Sequence, residues 1–298
     1  MVEPVTLVIP HYSDLVRLDA LLATLSIQSY PREHVEIIVV DNNSPCGREA
    51  VIACVSGRAN VIICHERGAG PARNAGVAAA SHALLAFIDS DCLAHPDWLA
   101  NGIAALQDAQ RGSVDLVGGR MEVAVRQPSQ RSGAEAFEQV FAFDNRSYVM
   151  KQNFSVTANL FTRRDVFDRI GGFRTQVSED LEWCQRAGRA GFGLTYADNA
   201  IVTHPARANW AELIGKWRRL QNESFALALE RPGGRWRWLA RAWLLPPSIL
   251  AHAPAIFHAT SLDNNGERWR ALGTLMRLRM WRFVDAHWLA FNLRRFSG

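Results

Sequence analysis

Leu84-Leu85-Ala86-Phe87-Ile88-Asp89-Ser90-Asp91 is an apolar run that ends in two carboxylates separated by a single serine. A continuous apolar run of this length predicts a buried strand. In an extended backbone, a spacing of two residues places the side chains of Asp89 and Asp91 on the same side. Carboxylate oxygens are the ligands that Mg²⁺ and Mn²⁺ prefer, and these ions typically bridge to phosphates. The stretch therefore indicates a divalent-cation site, with a solvated acidic turn as the alternative.

Short apolar runs alternate with helical patterns through residues 1–120. The runs predict strands at Val5–Ile9, Val35–Val40, Val61–Cys64, Leu84–Ile88 and Val114–Val117. Leucines at helical spacing after the first run predict a helix that Ser13 caps and that stops before Pro31. Further helices are expected after Pro71 and near Pro96. This order predicts an α/β fold with a mostly parallel sheet flanked by helices.

Polar or glycine-rich residues follow each of the first four predicted strands, at Pro10–Tyr12, Asp41–Ser44, Glu66–Asn74 and Asp89–Asp91. The carboxyl ends of parallel strands lie at one edge of the sheet, which is where ligands bind in open α/β folds. The pattern therefore favours a nucleotide cleft at this edge.

Residues 120–178 show a less regular pattern, and clearer signals return after them. Gly171-Gly172-Phe173 predicts a turn, and Glu179-Asp180 begins an amphipathic helix that reaches about Ala190. A strand near Phe192–Thr203 is then expected to end at His204.

Composition separates the chain into two parts of different chemistry. The 298 residues are 48% hydrophobic and 21% charged, which is ordinary for a globular protein. Residues 206–298 hold 15 Lys and Arg against 6 Asp and Glu, with eight of the ten tryptophans, whereas residues 1–205 have an acidic excess. Five scattered cysteines without a C-x-x-C pair, and no signal-peptide pattern at Met1–Pro4, lead us to expect a cytoplasmic protein with reduced cysteines and no zinc site.

Six motifs in order and at the right spacing resemble the inverting family 2 glycosyltransferases. They are Val5–Tyr12, Ile37–Ser44, Gly70–Gly76, Phe87–Asp91, Gly171–Phe173 and Glu179-Asp180. The resemblance covers about residues 4–205 and implies a GT-A fold, with a Rossmann-like, mostly parallel sheet. It implies a catalytic domain at 1–205, with a nucleotide-sugar-binding half (1–120) and an acceptor or catalytic half (121–205). Residues 206–298 then form a basic, Trp-rich helical extension.

The activity that the resemblance implies is a metal-dependent, inverting transfer of a sugar from a nucleotide-diphosphate donor to a hydroxyl acceptor. A UDP-sugar is the expected donor, and Mn²⁺ or Mg²⁺ the expected cofactor. The acceptor expected here is lipid-linked or a precursor of a cell-surface glycan.

The metal ligands that the resemblance implies are Asp91 first, then Asp89 and His204. The metal would neutralise charge that builds on the leaving diphosphate. In similar enzymes, the residue at the position of Asp89 contacts the ribose or helps to hold the metal. A structural histidine is the alternative for His204.

The nucleotide-binding residues implied are Asp89 and Ser90, together with Pro10, Tyr12, Asp41 and Arg73. Asp41 would accept hydrogen bonds from the base or ribose, or close an Asx-turn. Tyr12 would stack on the base, or be a partly buried aromatic. Arg73 would approach the nucleotide, since a guanidinium and a helix N-terminus both favour anions, with a surface arginine as the alternative.

On the acceptor side, the resemblance makes Asp180 the base that deprotonates the acceptor hydroxyl. Glu179 would position the acceptor, and Asn159 would line the acceptor side. A plain helix N-terminus with dipole-compensating acids is the alternative for Asp180. The Gly171–Phe173 motif directly upstream favours the catalytic role.

Polymerising members of the family carry a Gln-x-x-Arg-Trp motif. Its nearest candidate here, Lys216–Arg219, does not match, which argues against a processive synthase.

The extension interleaves arginine with tryptophan at Arg235–Trp238 and Arg277–Arg282. Between them, residues 242–260 contain no Lys, Arg, Asp or Glu, a length that would permit a membrane span. Pro246, Pro247 and Pro254 oppose a straight span, so we favour amphipathic helices on an anionic membrane, peripheral to the inner face of the plasma membrane. A helical appendage or dimer contact is the alternative, and no nucleic-acid partner is expected.

Two other functions agree less well with the sequence. A sugar nucleotidyltransferase would need a glycine-rich loop with Arg and Lys after the first strand, and residues 10–14 contain none of these. A non-catalytic adaptor that binds membrane or a partner is opposed by the intact Asp89, Asp91 and Asp180.

Overall fold

The structure is a computed structural model and describes residues 2–108 and 114–291. The last part of the predicted extension, residues 292–298, lies outside the described residues. Within them, eight strands form one sheet: β1 (Val5–His11), β2 (Val35–Asp41), β3 (Asn60–Ile63), β4 (Leu84–Phe87), β5 (Leu93–Ala94), β6 (Leu116–Ala124), β7 (Leu160–Arg163) and β8 (Leu194–Pro205).

The sheet has the strand order β3-β2-β1-β4-β7-β6-β8-β5. β1 pairs in parallel with both β2 and β4, and β2 pairs in parallel with β3. Beyond β4 the pairings of β4 with β7, β7 with β6 and β8 with β5 are antiparallel. The predicted α/β sheet is therefore confirmed, and its parallel part coincides with the four strands whose carboxyl ends were predicted to form the cleft.

Twelve α-helices are present in the described part of the chain. They are α1 (Leu15–Ser26), α2 (Arg48–Val55), α3 (Ala69–Ala79), α4 (Trp98–Gln107), α5 (Gly133–Phe141), α6 (Asn145–Gln152), α7 (Arg164–Ile170), α8 (Glu179–Arg189), α9 (Trp210–Leu229), α10 (Gly234–Trp243), α11 (Ser248–His258) and α12 (Asn265–Ala290). The sequence analysis missed α2, α5 and α6, which are short. It predicted the start of α8 and the helical character of the C-terminal segment correctly.

The predicted cap of α1 is wrong by one residue. Asp14 caps the helix, because its carboxylate accepts a hydrogen bond of 3.1 Å from the backbone N–H of Arg17. Ser13 instead has a positive φ of 68°, and its N–H donates to the hydroxyl of Ser44 at 2.8 Å. This bond ties the loop after β1 to the loop after β2, so the helix begins one residue later than the pattern indicates.

Alternate residues of β1 enter two different apolar cores. Leu7 and Ile9 pack with α1 on one face of the sheet, whereas Val8 packs toward α3 on the other. Gly76 makes the second packing possible, since a β-carbon at this position would clash with Val8 and Val40. Close packing of α3 on the sheet places its first turn beside the ends of the strands.

Contacts divide the chain into two units. The first comprises the chain up to Glu122, Phe143–Thr175 and Glu179–His204. The second comprises Val123–Ala142, Gln176–Ser178 and the chain from Pro205 onward. The segment with α5 thus packs with the C-terminal helices, although the sequence analysis placed it in the acceptor half. The functional boundary at residue 205 stays a prediction.

The second unit has its own apolar core and buried ion pairs. Lys216 Nζ donates to Glu138 at 2.7 Å, and Arg131 donates to Glu267 at 2.6 Å. Burial alone would raise the pKa of Glu138, but Lys216 and Arg207 lower it below its ordinary value. Throughout the described ranges, no helix combines the length and apolar character needed to cross a bilayer.

Candidate active site

Asp91, which follows the end of β4, lies next to His204 in the last residues of β8. The Nε2 atom of His204 is 3.3 Å from Oδ2 of Asp91. His204 is buried, and its ring packs against Phe143 with 4.6 Å between the ring centroids. Cys92 contributes a third donor, and the three donor atoms lie within 4.8 Å of one another. Two of the three predicted metal ligands are thus brought to one place by distant parts of the chain.

The chemistry of these donors fits a divalent cation held by Asp91 and His204. A carboxylate oxygen suits Mn²⁺ or Mg²⁺, and imidazole nitrogen is a common ligand of transition metals. Cys92 fits less well, because its burial and the charges of Asp91 and Asp89 raise the pKa of its thiol well above the ordinary value. A protonated thiol is a poor ligand for a hard cation, so Cys92 belongs to the packing around the pair.

Asp89 turns away from this donor group and pairs with Arg73. The Nη2 atom of Arg73 is 2.6 Å from Oδ1 of Asp89. The two acids of the Asp-x-Asp motif therefore have different partners, although the spacing alone places them on one side.

Arg73 is the residue that joins the two sides of the site. It lies in the first turns of α3 and is only 3% exposed, so it is not a surface arginine. Besides Asp89, its guanidinium donates through Nη1 to Glu179 at the start of α8. Burial would lower the pKa of Arg73, but the two carboxylates raise it overall. One buried cation thus connects the end of β4 to the start of α8.

We expect the Arg73→Met variant to lose about 3 kcal/mol of unfolding free energy, because two neighbouring carboxylates would remain without their cation. Arg73→Lys should restore only part of this loss, since an ammonium group lacks the planar fork that contacts both acids. Urea unfolding followed by circular dichroism measures the difference. Arg67→Met, at an exposed arginine of the preceding loop, is the control and should change stability by less than about 0.5 kcal/mol. Equal, small losses in the Arg73 and Arg67 variants would contradict a structural bridge.

Glu179 and Asp180 form the first turn of α8 and are partly exposed. The Oδ1 atom of Asp180 accepts a hydrogen bond of 2.8 Å from the N–H of Leu181. Burial raises the pKa of Tyr148, and the charges of Asp144 and Asp180 add to this effect. Burial also raises the pKa of Cys184 to about 12, again with a contribution from Asp180. Asp180 is therefore partly buried, and its charge acts on Tyr148 and the buried Cys184, unlike the charge of a fully solvated acid at a helix end.

The Gly171-Gly172-Phe173 turn holds α8 in place. Gly171 ends α7 with a positive φ of 78°, and its carbonyl accepts a hydrogen bond of 2.9 Å from Trp183 Nε1. Asn74 of α3 braces the same turn: its amide donates to the carbonyl of Phe173 and accepts from its N–H, both at 2.8 Å. Asn74 thereby ties α3 to the turn that precedes the acids of α8.

Asp41 is buried at the end of β2, and its carboxylate accepts from both the N–H and the hydroxyl of Ser44. The Asp41 carboxylate therefore closes the turn after β2, although it bonds to the residue three positions on and not two, as an Asx-turn would. Tyr12 is 51% exposed rather than partly buried, so its ring is accessible. Pro10 and Ser90 lie partly buried at the ends of β1 and β4. These residues gather at the same edge of the sheet, as the strand pattern predicts.

Asn159 lies inside the fold, in contrast to the acceptor-side position predicted for it. It is fully buried, and its Oδ1 accepts from Trp98 Nε1 at 2.9 Å. Its amide donates to the carbonyls of Arg120 and Ala200, also at 2.9 Å. Both donors are therefore engaged, and the residue braces β6 and β8 against each other.

His11 and Tyr148 are two residues near the site that sequence reasoning missed. His11 is buried opposite Asp41 in the pairing of β1 with β2, and neither ring nitrogen has a hydrogen-bond partner among the described residues. Burial lowers the pKa of His11 in spite of the nearby Asp41 and Asp14. His11 could have been recognised from the sequence because it directly follows Pro10 in the motif after the first predicted strand. Helix α6 has no sequence pattern that would have pointed to Tyr148.

Comparison with known proteins places these features in a family. The family model described as glycosyl transferase family 2 matches residues 6–171. Glycosyltransferase AglE of Haloferax volcanii is 33% identical over 222 residues, which cover 72% of this chain and 71% of AglE.

Two solved structures share the fold. Mannosyltransferase PcManGT from Pyrobaculum calidifontis, in complex with GDP-Man and Mn²⁺, superposes with a TM-score of 0.60 at 22% identity, covering 98% of this chain and 86% of that one. S. aureus TarS 1-349, in complex with UDP-GlcNAc, gives a TM-score of 0.54 at 14% identity, covering 93% and 90%. These likenesses confirm the predicted GT-A fold. With a family match over more than half of its length and a relative aligned over most of both chains, this protein belongs to glycosyl transferase family 2 and is a glycosyltransferase.

Proposed function

We propose that the protein transfers a sugar from a nucleotide-diphosphate donor to a hydroxyl acceptor in a metal-dependent, inverting reaction. The observation that carries the proposal is the bridge at Arg73, which contacts Asp89 and Glu179 at once. Asp89 belongs to the motif assigned to the donor, and Glu179 to the motif assigned to the acceptor. A single buried guanidinium therefore holds the two halves of the proposed reaction next to each other.

On the donor side, Asp91 and His204 are the proposed ligands of Mn²⁺ or Mg²⁺. When bound, the ion would supply positive charge against the negative charge that develops on the leaving diphosphate. Asp41, Tyr12 and Asp89 would bind the nucleoside, together with Pro10 and Ser90. The solved structures with this fold hold GDP-Man in one case and UDP-GlcNAc in the other, which supports a nucleotide-sugar donor. A UDP-sugar is our proposed donor.

On the acceptor side, Asp180 is the proposed base. It would take the proton of the acceptor hydroxyl as the hydroxyl oxygen bonds to the anomeric carbon and the bond from that carbon to the diphosphate oxygen breaks. Because the oxygen attacks the face opposite the leaving group, the anomeric configuration is inverted. The partial burial of Asp180 supports this role, and Glu179 would orient the acceptor.

The acceptor class that we propose is a lipid-linked saccharide or another precursor of a cell-surface glycan. The basic, Trp-rich helices of residues 206–298 support an acceptor at a membrane surface. No observation favours a sugar nucleotidyltransferase, and membership of a transferase family leaves an adaptor without support.

A thermal-shift screen of UDP- and GDP-sugars, each with Mn²⁺, with Mg²⁺ and with chelator, tests the donor. A ligand at about a hundred times its Kd should stabilise the protein by about 2.7 kcal/mol. We expect stabilisation by a UDP-sugar that depends on the metal. The bound donor is then incubated with acceptor alcohols, and the anomer formed is assigned by NMR. No stabilisation by any nucleotide sugar with either metal would overturn the donor assignment, and a product with retained configuration would overturn the inverting mechanism.

A further inference from the structure

Helix α12 has two faces of opposite character. Its packed face enters the core of the helical unit through Ala271, Leu275 and Leu278. The opposite face carries large apolar side chains at spacings of three or four residues or their multiples, each 43% to 62% exposed: Trp269, Met276, Met280, Val284 and Trp288. At these spacings the side chains lie along one side of the helix. We call these five residues, with Arg270 and Arg277 between them, the α12 face.

The α12 face is extended and continuous with neighbouring aromatic groups. From Trp269 to Trp288 it runs about 30 Å, from the rise per residue of an α-helix. At one end, Trp269 packs against Phe257 of α11 with 5.4 Å between ring centroids. At the other, Trp243 of α10 packs against Phe283 at 4.9 Å and is itself largely exposed. An exposed apolar surface of this extent on a globular unit marks an interaction site.

The two acids of α12 are buried, whereas the two arginines of the α12 face are exposed. Its acids, Glu267 and Asp285, are buried on the packed side, where Arg131 and Gln221 bind them. Arg270 and Arg277 are exposed on the outward side. The described residues of the α12 face therefore include positive charge and no negative charge. The neighbouring α10 adds three more exposed arginines, at 235, 237 and 241.

Arg270 and Arg277 also line a recess of about 450 Å³ between α5, α9 and α12. Trp210 forms one wall, and the guanidinium of Arg277 lies over its ring at 4.0 Å from the centroid. Gly273 and Thr274 form the floor between the two arginines. The recess offers two cations to an anionic group that approaches the α12 face from outside.

We propose that the α12 face docks on the surface of an anionic phospholipid bilayer, with the apolar side chains at the level of the headgroups and acyl boundary and a lipid phosphate beside Arg270 and Arg277. Tryptophan and arginine on a helix face that carries no acids are typical of helices that lie in a membrane interface. A second copy of the chain is a worse occupant, because a symmetric contact would bring arginine against arginine. The proposal rests on the proposed function in one respect, that the acceptor is carried by a membrane. Binding to the bilayer itself requires no sugar transfer.

Flotation of the full chain with vesicles tests the proposal. We expect co-flotation with phosphatidylcholine vesicles that contain phosphatidylglycerol, and weak or no binding to phosphatidylcholine alone. Two double variants separate the contributions: Trp269→Ser with Trp288→Ser removes apolar contact, and Arg270→Gln with Arg277→Gln removes charge. Each double variant should lower the vesicle-bound fraction at least about tenfold at a fixed lipid concentration. Added salt should weaken vesicle binding by the wild type but should not further weaken binding by the arginine variant.

Matched substitutions in the first unit serve as controls. Ile27→Ser and Arg48→Gln change an exposed apolar residue and an exposed arginine outside the α12 face, and both should bind vesicles as the wild type does. Melting curves verify that the variants are folded. Absence of binding to anionic vesicles, or equal binding by all variants, would overturn the proposal. The proposal would also be overturned if, without vesicles, the wild type were a dimer and the tryptophan variant a monomer. That result would identify a second copy of the chain as the occupant. Variants that no longer float should still transfer sugar to a water-soluble acceptor. This result would distinguish a failure of membrane docking from a failure of the proposed function.

Discussion

Replacing Asp180 by asparagine is expected to lower the rate of sugar transfer by about a thousandfold, the typical contribution of a positioned general base. The amide has nearly the same shape as the carboxylate, so α8 and the bridge from Arg73 to Glu179 should remain in place. Donor binding should therefore be unchanged. Initial rates at saturating donor and acceptor measure the chemical step, and calorimetric titration with the nucleotide sugar measures the affinity.

A control for Asp180→Asn is available in the same unit. Asp165 is an exposed acid in the first turn of α7, so Asp165→Asn removes the same helix-end charge without approaching the site. This variant should transfer sugar at the wild-type rate. If both variants lost little activity, Asp180 would be an ordinary helix-terminal acid and the base would have to be sought elsewhere.

Replacing Asp91 by asparagine is expected to abolish metal-dependent donor binding. The substitution would remove the charged oxygen of one of the two proposed protein ligands and would break the contact of 3.3 Å between Asp91 and His204. Since removal of groups that merely orient ligands already costs about tenfold to a hundredfold in metal affinity, we expect at least a hundredfold loss here. Titration of Mn²⁺ in the presence of a nucleoside diphosphate, followed by calorimetry, measures the affinity. His204→Gln should show a smaller loss in the same assay.

Asp97→Asn is the matched control for Asp91, because Asp97 is exposed and its side chain makes no capping hydrogen bond to α4. It should bind Mn²⁺ and donor as the wild type does. Wild-type metal affinity in Asp91→Asn would show that the ion, if needed, is held by other groups.

Much of the first unit could be predicted because its signals are local. Each parallel strand is a short apolar run that ends in a polar or glycine-rich turn, and the structure ends β1, β2 and β4 within a residue or two of the predicted positions. The start of α8 at Glu179 was found in the same way. Helix α6 was missed because only Asn145 and Val149 are buried, which leaves no apolar periodicity to detect.

The pairing of side chains in the site depends on contacts between distant parts of the chain. Spacing indicates that Asp89 and Asp91 share a side, but it does not show that Arg73 binds one and His204 contacts the other. Asn159 is a second residue whose contacts could not be predicted from its place in the sequence. The resemblance implied that it lines the acceptor side, whereas three hydrogen bonds, to two separate strands and to Trp98, hold it in the interior.

The amino-acid sequence by itself determined the parallel strands, the edge at which their polar ends gather, the family motifs and the basic, Trp-rich character of the C-terminal helices. These follow from periodicity and composition, which are properties of neighbouring residues. Only the tertiary structure decided that Arg73 bridges Asp89 to Glu179, that Asp91 lies with His204, and that α12 buries its two acids while Arg270 and Arg277 stay exposed. Those outcomes depend on which buried charges find partners, and a charge removed from water is stable only where the fold brings its partner within hydrogen-bonding distance.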